Sequence, residues 1–202
     1  MTNEKTEWEK LYSDFRDAYA NSKYDEASKK LVKTAYLFAK KKHKGQMRDG
    51  GEDYIIHPIR VARIVLENKR SSNISTLLCS ALLHDTIEDT YTSYKELQEN
   101  FGETIASLVM ELSTASCACK IEGKKNYLCH KMEHMTSYAL YVKLADRLDN
   151  ITDLDHSPEE KRQRMYQETK EIIDYLSKTI TFTSSQQKLV EKIKLVLKKK
   201  TA

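Results

Sequence analysis

Three separated stretches of the chain carry side chains that bind metals or move protons. They are His57, then His84-Asp85 followed by Glu88-Asp89, and finally Asp146. Two imidazoles and two aspartates form a mixed nitrogen–oxygen donor set. Such a set suits Mn²⁺, Fe²⁺ or Zn²⁺ better than an ion that prefers thiolates, and the imidazoles favour Mn²⁺ over Mg²⁺. Four protein donors on a six-coordinate ion leave positions for a water and a substrate oxygen, and such an ion acidifies its water and polarises a phosphoryl group. In a continuous helix His84 stands one turn before Glu88 and Asp85 one turn before Asp89, so the four polar groups are expected along one edge. That edge continues from the apolar run Leu77 to Leu83. Carboxylates and imidazoles placed so deep are costly unless paired or bound to a cation. Asp146 repeats the logic: it lies opposite Leu144, on the helix face shared by Val142, Asn150 and Asp153. A His-Asp pair alone also occurs on solvated surface helices; the metal reading rests on the combination.

The elements that position these groups are read as helices. The chain has 202 residues, 40% of them apolar and 32% charged, with only 5 Gly and 2 Pro. So few turn residues exclude a sandwich or barrel, which needs a turn every ~8–12 residues. Apolar side chains recur at helical spacing in Trp8, Leu11, Tyr12, Phe15 and Tyr19, and again in Leu31, Ala35, Phe38 and Ala39. The pattern returns in Ile59 to Leu66 after His57-Pro58, in Ile105 to Leu112, in Leu140 to Ile151, in Met165 to Leu176 and in Leu189 to Leu197. Ser93 with Glu96 forms a capping box for a helix ending at Phe101-Gly102, and Ser157-Pro158-Glu159-Glu160 opens another, with Ser157 as N-cap. The expected architecture is an all-α single domain over residues 1–202, a bundle of about eight to ten helices. Two segments look irregular, Lys44 to Asp53 and Thr114 to Tyr127, and such polar segments between rigid helices tend to carry binding groups.

Thirty-four basic against 30 acidic residues give a net charge of +4, too mild to imply a nucleic-acid partner. No apolar run reaches the ~18 residues of a membrane span, and residues Met1 to Lys10 lack the apolar stretch of a signal peptide. A cytoplasmic protein with reduced thiols is expected. Cys117-Ala118-Cys119 with Cys129-His130 and His134 does not have a strong zinc spacing, Cys79 reads as a core residue, and His43 and His156 read as surface groups.

Four motifs then occur in order: Gln46-Met47-Arg48; Tyr54-Ile55-Ile56-His57-Pro58; Ala81-Leu82-Leu83-His84-Asp85-Thr86-Ile87-Glu88-Asp89-Thr90; and Val142-Lys143-Leu144-Ala145-Asp146-Arg147-Leu148-Asp149-Asn150. Together with Phe101-Gly102, they resemble the hydrolase domain of RelA/SpoT homologues, a branch of the HD-domain phosphohydrolases. The resemblance covers about residues 28–155, and the chain most resembles a stand-alone small alarmone hydrolase. It implies removal of the 3′-pyrophosphate of ppGpp or pppGpp, the stringent-response alarmones, with one Mn²⁺ held by His57, His84, Asp85 and Asp146. It further implies that Glu88 and Asp89 position or activate the attacking water, that Arg48 packs on guanine and that Asn150 lines the nucleotide pocket.

Residue chemistry adds Lys143, Arg147, Lys124, Lys125 and the run Lys40 to Lys44 as candidates to neutralise phosphate charge, with Tyr54 and Tyr127 placed near the nucleotide. The Lys40 to Lys44 run and Lys124-Lys125 read equally as solvated surface. Asp49, Asp53 and Asp149 replace residues usual in the family and are expected to make the pocket mouth more acidic, disfavouring the 5′ phosphate that pppGpp adds. Two other readings stay open: an HD phosphohydrolase acting on another nucleotide, such as an adenine alarmone or a phosphorylated dinucleotide, and a nucleotide-binding regulator without turnover.

Overall fold

The apolar run expected deep in the core forms a helix whose residues Leu77 to Leu83 are all buried. In the computed structural model, residues 7–20, 24–115, 120–121 and 123–200 are described. They form ten helices of two turns or more and one single turn, α1(Glu7–Ala20), α2(Glu26–Lys42), α3(Ile56–Asn68), α4(Ile74–Leu83), α5(Thr86–Asp89), α6(Tyr94–Phe101), α7(Glu103–Leu112), α8(Lys124–Glu133), α9(Ser137–Thr152), α10(Glu159–Thr179) and α11(Ser184–Lys200). The all-α expectation is met: among the described residues one isolated antiparallel bridge, Met47 with Asp53, stands in place of any sheet. No described helix is long and apolar enough to cross a membrane.

The chain divides into two compact units, Met1–Met110 and Glu111–Ala202. In the first, α4 packs on α2 and α3, and α1 on α3. Asp25 caps α2 by accepting from the Ser28 amide at 2.7 Å, which satisfies one of the free N–H groups of the first turn. Ser93 accepts from the Glu96 amide at 3.1 Å, and Gly102 ends α6 at φ 82°, a left-handed conformation that favours glycine, as the capping motif predicted. Phe38 meets Phe101 edge to face at 5.3 Å. The loop between α2 and α3 doubles back on itself. The Arg48 amide donates to Glu52 O at 2.9 Å, the Tyr54 amide donates to Gln46 O at 3.0 Å, and Gly51 takes φ 86° at the turn.

In the second unit α9 packs on α11 and α10, and α8 packs on α10. Every residue of α9 from Ala139 to Asp149 is buried, including Lys143, Asp146, Arg147 and Asp149. The two-sided burial expected of this helix is therefore present.

Four expectations need correction. Helix α4 ends at Leu83, and a turn at His84-Asp85 leads into the separate α5. Thr86 Oγ1 donates to Leu83 O at 2.7 Å and the His84 ring bonds Ala81 O at 2.8 Å, so side chains compete for the carbonyls of the last turn. His84 and Asp85 are buried whereas Glu88 and Asp89 are exposed, so the four do not form one uniform edge. The second irregular segment is shorter than expected, because α8 already begins at Lys124. Pro158, rather than Ser157, is the N-cap of α10, its fixed φ of −54° leading into the first turn. Asp149 is 5% exposed, so it adds no charge to a solvent-facing mouth. Cys117 and Cys119 lie outside the described residues.

Candidate metal centre

In the first unit α3 delivers His57 from its first turn, and the α4–α5 turn delivers His84 and Asp85. His57 and His84 are each 1% exposed, and their Nε2 atoms lie 3.2 Å apart, across 27 residues of sequence. Asp85 Oδ2 is 3.1 Å from Nε2 of His84 and 3.5 Å from Nε2 of His57. The partner of His84 Nδ1 is the carbonyl of Ala81, which only accepts, so Nδ1 carries a hydrogen and Nε2 is the ring nitrogen turned to the centre. Two imidazole nitrogens and a carboxylate oxygen converge on one point. The donor chemistry therefore fits a divalent ion of the borderline class.

Around this core, the Tyr54 hydroxyl lies 2.7 Å from Asp85 Oδ2 and 2.9 Å from Asp89 Oδ2. Burial, then the neighbouring Asp85 and Asp89, push the Tyr54 phenol above its ordinary value, so it keeps its proton and acts as a donor. Glu88 and Asp89 stand at the solvent side on α5. Arg48 is half-buried in the loop that Gly51 closes.

His43 was expected at the surface, yet it is 3% exposed. Its ring stacks on Tyr54 at 4.7 Å and 24°, and Nδ1 meets Gln46 Oε1 at 2.7 Å. Gln46 Nε2 in turn donates to the Asp89 carbonyl at 2.7 Å. Burial lowers the His43 pKa below its usual value. Its spacing from Tyr36 and Ala39, both buried, extends the apolar stripe of α2 and was the available signal; the flanking lysines concealed it.

In the second unit Asp146 is buried on α9, with Asn150 Nδ2 donating to its Oδ1 at 2.6 Å and Lys143 Nζ 3.0 Å from its Oδ2. These are three of the expected residues in one cluster, positioned by i,i+3 and i,i+4 spacing. Arg147, expected to face phosphate, is 5% exposed and pairs with Glu168 of α10 at 2.7 Å, so its charge is neutralised within the unit. Lys124 and Lys125 lie exposed in the first turn of α8, and Lys125 pairs with Glu171 at 3.0 Å. Cys129 is a buried thiol, while His130 and His134 are exposed.

Comparison with known proteins places the chain in a family. The family model described as "HD domain" matches residues 35–178, and the chain belongs to that family of helical domains. Several of its relatives carry one name, and others are named as a pyrophosphokinase or as a bifunctional enzyme. The chain is 42% identical over 145 residues to guanosine-3′,5′-bis(diphosphate) 3′-pyrophosphohydrolase of Aquifex aeolicus, covering 70% of this chain and 20% of that protein. It is 36% identical over 156 residues to guanosine-3′,5′-bis(diphosphate) 3′-pyrophosphohydrolase MESH1 of Xenopus tropicalis, covering 74% of this chain and 86% of that one. A solved structure described as a metazoan ortholog of SpoT that hydrolyzes ppGpp superposes with a TM-score of 0.73 at 25% identity, over 89% of this chain and 98% of its own. The chain spans about a fifth of the length of the long bacterial relatives it matches.

Proposed function

We propose that this chain hydrolyses the 3′-pyrophosphate of ppGpp or pppGpp, giving GDP or GTP and pyrophosphate, with Mn²⁺ as its ion. The observation that carries the reading is the facing pair of Nε2 atoms of His57 and His84 with Asp85 beside them, in a chain several of whose relatives bear that enzyme's name. The resemblance assigns the ion to His57, His84 and Asp85, which meet in the first unit, together with Asp146 of α9. The family match running through both units supports one hydrolase domain over residues 1–202.

Bound there, the ion supplies Lewis acidity toward a phosphoryl oxygen and an acidified water. Glu88 and Asp89 would orient the attacking water and take up its proton. The bond from phosphorus to the 3′ oxygen breaks, and the oxygen leaves with the electron pair and takes the proton that the carboxylate had accepted from the water. Lys143, close to Asp146, offsets charge on the phosphate chain, and Asn150 fixes Asp146 while lining the nucleotide pocket. Arg48 presents a flat guanidinium to the purine face. Lys124 and Lys125 serve as outlying cations.

The purified protein is incubated with Mn²⁺ and ppGpp, with its adenine counterpart or with simple nucleotides, and the products are resolved. Pyrophosphate and GDP from ppGpp alone are expected. Turnover of the adenine compound instead would reassign the substrate, and tight binding without turnover would point to a regulator. Asp146→Ala should lose both ion and turnover, and Glu88→Gln should lose at least about a hundredfold in kcat with the ion still bound.

A further inference from the structure

Four groups of the first unit connect the loop before α3 to the catalytic turn. The Tyr54 hydroxyl sits between Asp85 Oδ2 at 2.7 Å and Asp89 Oδ2 at 2.9 Å, joining an expected ion ligand to an expected water-activating carboxylate. Asp89 is exposed on the single-turn α5, where little packing restrains its rotamer. The His43 ring, stacked on Tyr54, holds the phenol plane, and Gln46 ties His43 to the backbone of Asp89. Asp85 and Asp89 differ in environment, one buried and one facing solvent, and the hydroxyl bridges their side chains.

We infer that Tyr54 is a positioning residue, whose hydroxyl sets the Asp89 carboxylate at a fixed distance from the ion-binding Asp85, and that His43 and Gln46 form its support. The inference rests on the metal-hydrolase reading, and it gives Tyr54 a different task from contact with the nucleotide. A phenol whose single proton is shared between two carboxylates has no further hydrogen to offer a phosphate, whereas a fixed Asp89 avoids the loss of orientation that a swinging carboxylate brings to proton transfer.

The test compares the full chain with Tyr54→Phe, which keeps the ring and its stack on His43 and removes only the oxygen. With Mn²⁺ and ppGpp, kcat should fall about 10–100-fold, the size of a lost hydrogen bond to a charged group, while KM stays within about twofold and the melting temperature within a few degrees. Gln46→Met, which removes the second support, should lower kcat a few-fold in the same direction. Unchanged kcat in Tyr54→Phe, or a raised KM at unchanged kcat, would overturn the inference; the second result would make Tyr54 a substrate contact. Crystal structures of both proteins grown with Mn²⁺ give a readout independent of substrate. The Asp89 carboxylate should lie within hydrogen-bond distance of Tyr54 in the parent and turn toward solvent in the variant; an unmoved Asp89 counts against positioning. A parent that leaves ppGpp intact while its Asp89 moves in the variant refutes the alarmone reading and retains the positioning role.

Discussion

Removing Glu168 should cost this protein much of its stability, and the loss should be recoverable by a second change. Arg147 and Glu168 join α9 to α10 at 2.7 Å, with side chains only 6% and 12% exposed, and Thr169 Oγ1 lies 3.4 Å from the same guanidinium nitrogen. Glu168→Leu leaves a guanidinium without its counter-charge in a place where water screens poorly. Breaking one side of a buried pair costs about 3–5 kcal/mol, and the residual exposure of Glu168 puts the expected value near the lower end, roughly 3 kcal/mol. In a chain of this size each kcal/mol moves the melting temperature by about 2–4 °C, so a drop of roughly 6–12 °C is expected. Arg147→Met combined with Glu168→Leu removes both charges and fills the space with apolar atoms, which should restore most of the loss. Thermal melts followed by circular dichroism, with urea titrations to check that the m-value is unchanged, measure both effects. The argument is refuted by a single variant melting within about 2 °C of the parent, or by a double variant no more stable than the single. Arg147→Met with a raised KM and an unchanged melting temperature would instead make Arg147 a phosphate contact.

Three further outcomes follow from the same structure. Chelation of the ion should abolish pyrophosphate release and Mn²⁺ should restore it; at a hundred times its dissociation constant, Mn²⁺ should add about 2.7 kcal/mol of stability, a rise of roughly 5–11 °C in the melting temperature by differential scanning fluorimetry. Burial holds the His43 pKa below 6.5, so in acid the unfolded chain takes up its proton before the folded one does. Stability should therefore fall as pH drops below about 6.5, toward the folded-state value, and His43→Phe should flatten that part of the profile in urea titrations run at several pH values. Burial likewise pushes the Cys79 thiol up to about 12, so iodoacetamide should leave Cys79 untouched in the native protein and label it only on unfolding, as mass spectrometry would show.

The relation between residue and position differs between the two halves of the expected donor set. Asp146 and Asn150 lie one turn apart on one helix, so spacing alone placed them on one face, and the distance agrees; the approach of Lys143 to Asp146 was seen only in the structure. His57, His84 and Tyr54 come from different elements, and their meeting depends on how α3 and α4 pack. The sequence could name these residues as chemically able, and the resemblance could assign roles, but neither contained the 3.2 Å between the imidazoles.

By itself the sequence determined the helical class, the capped ends of α6, the buried run of α4 and the residue types able to hold an ion. These follow from local periodicity and from the hydrogen-bonding needs of helix ends, which act over a few residues. Only the tertiary structure decided that the chain turns at His84-Asp85, that His43 lies buried behind Tyr54, that one hydroxyl lies between Asp85 and Asp89 and that Arg147 is neutralised by Glu168. Each of those is a contact between groups from different segments. Its energy depends on burial and on the angle at which elements pack, and no spacing along the chain records either.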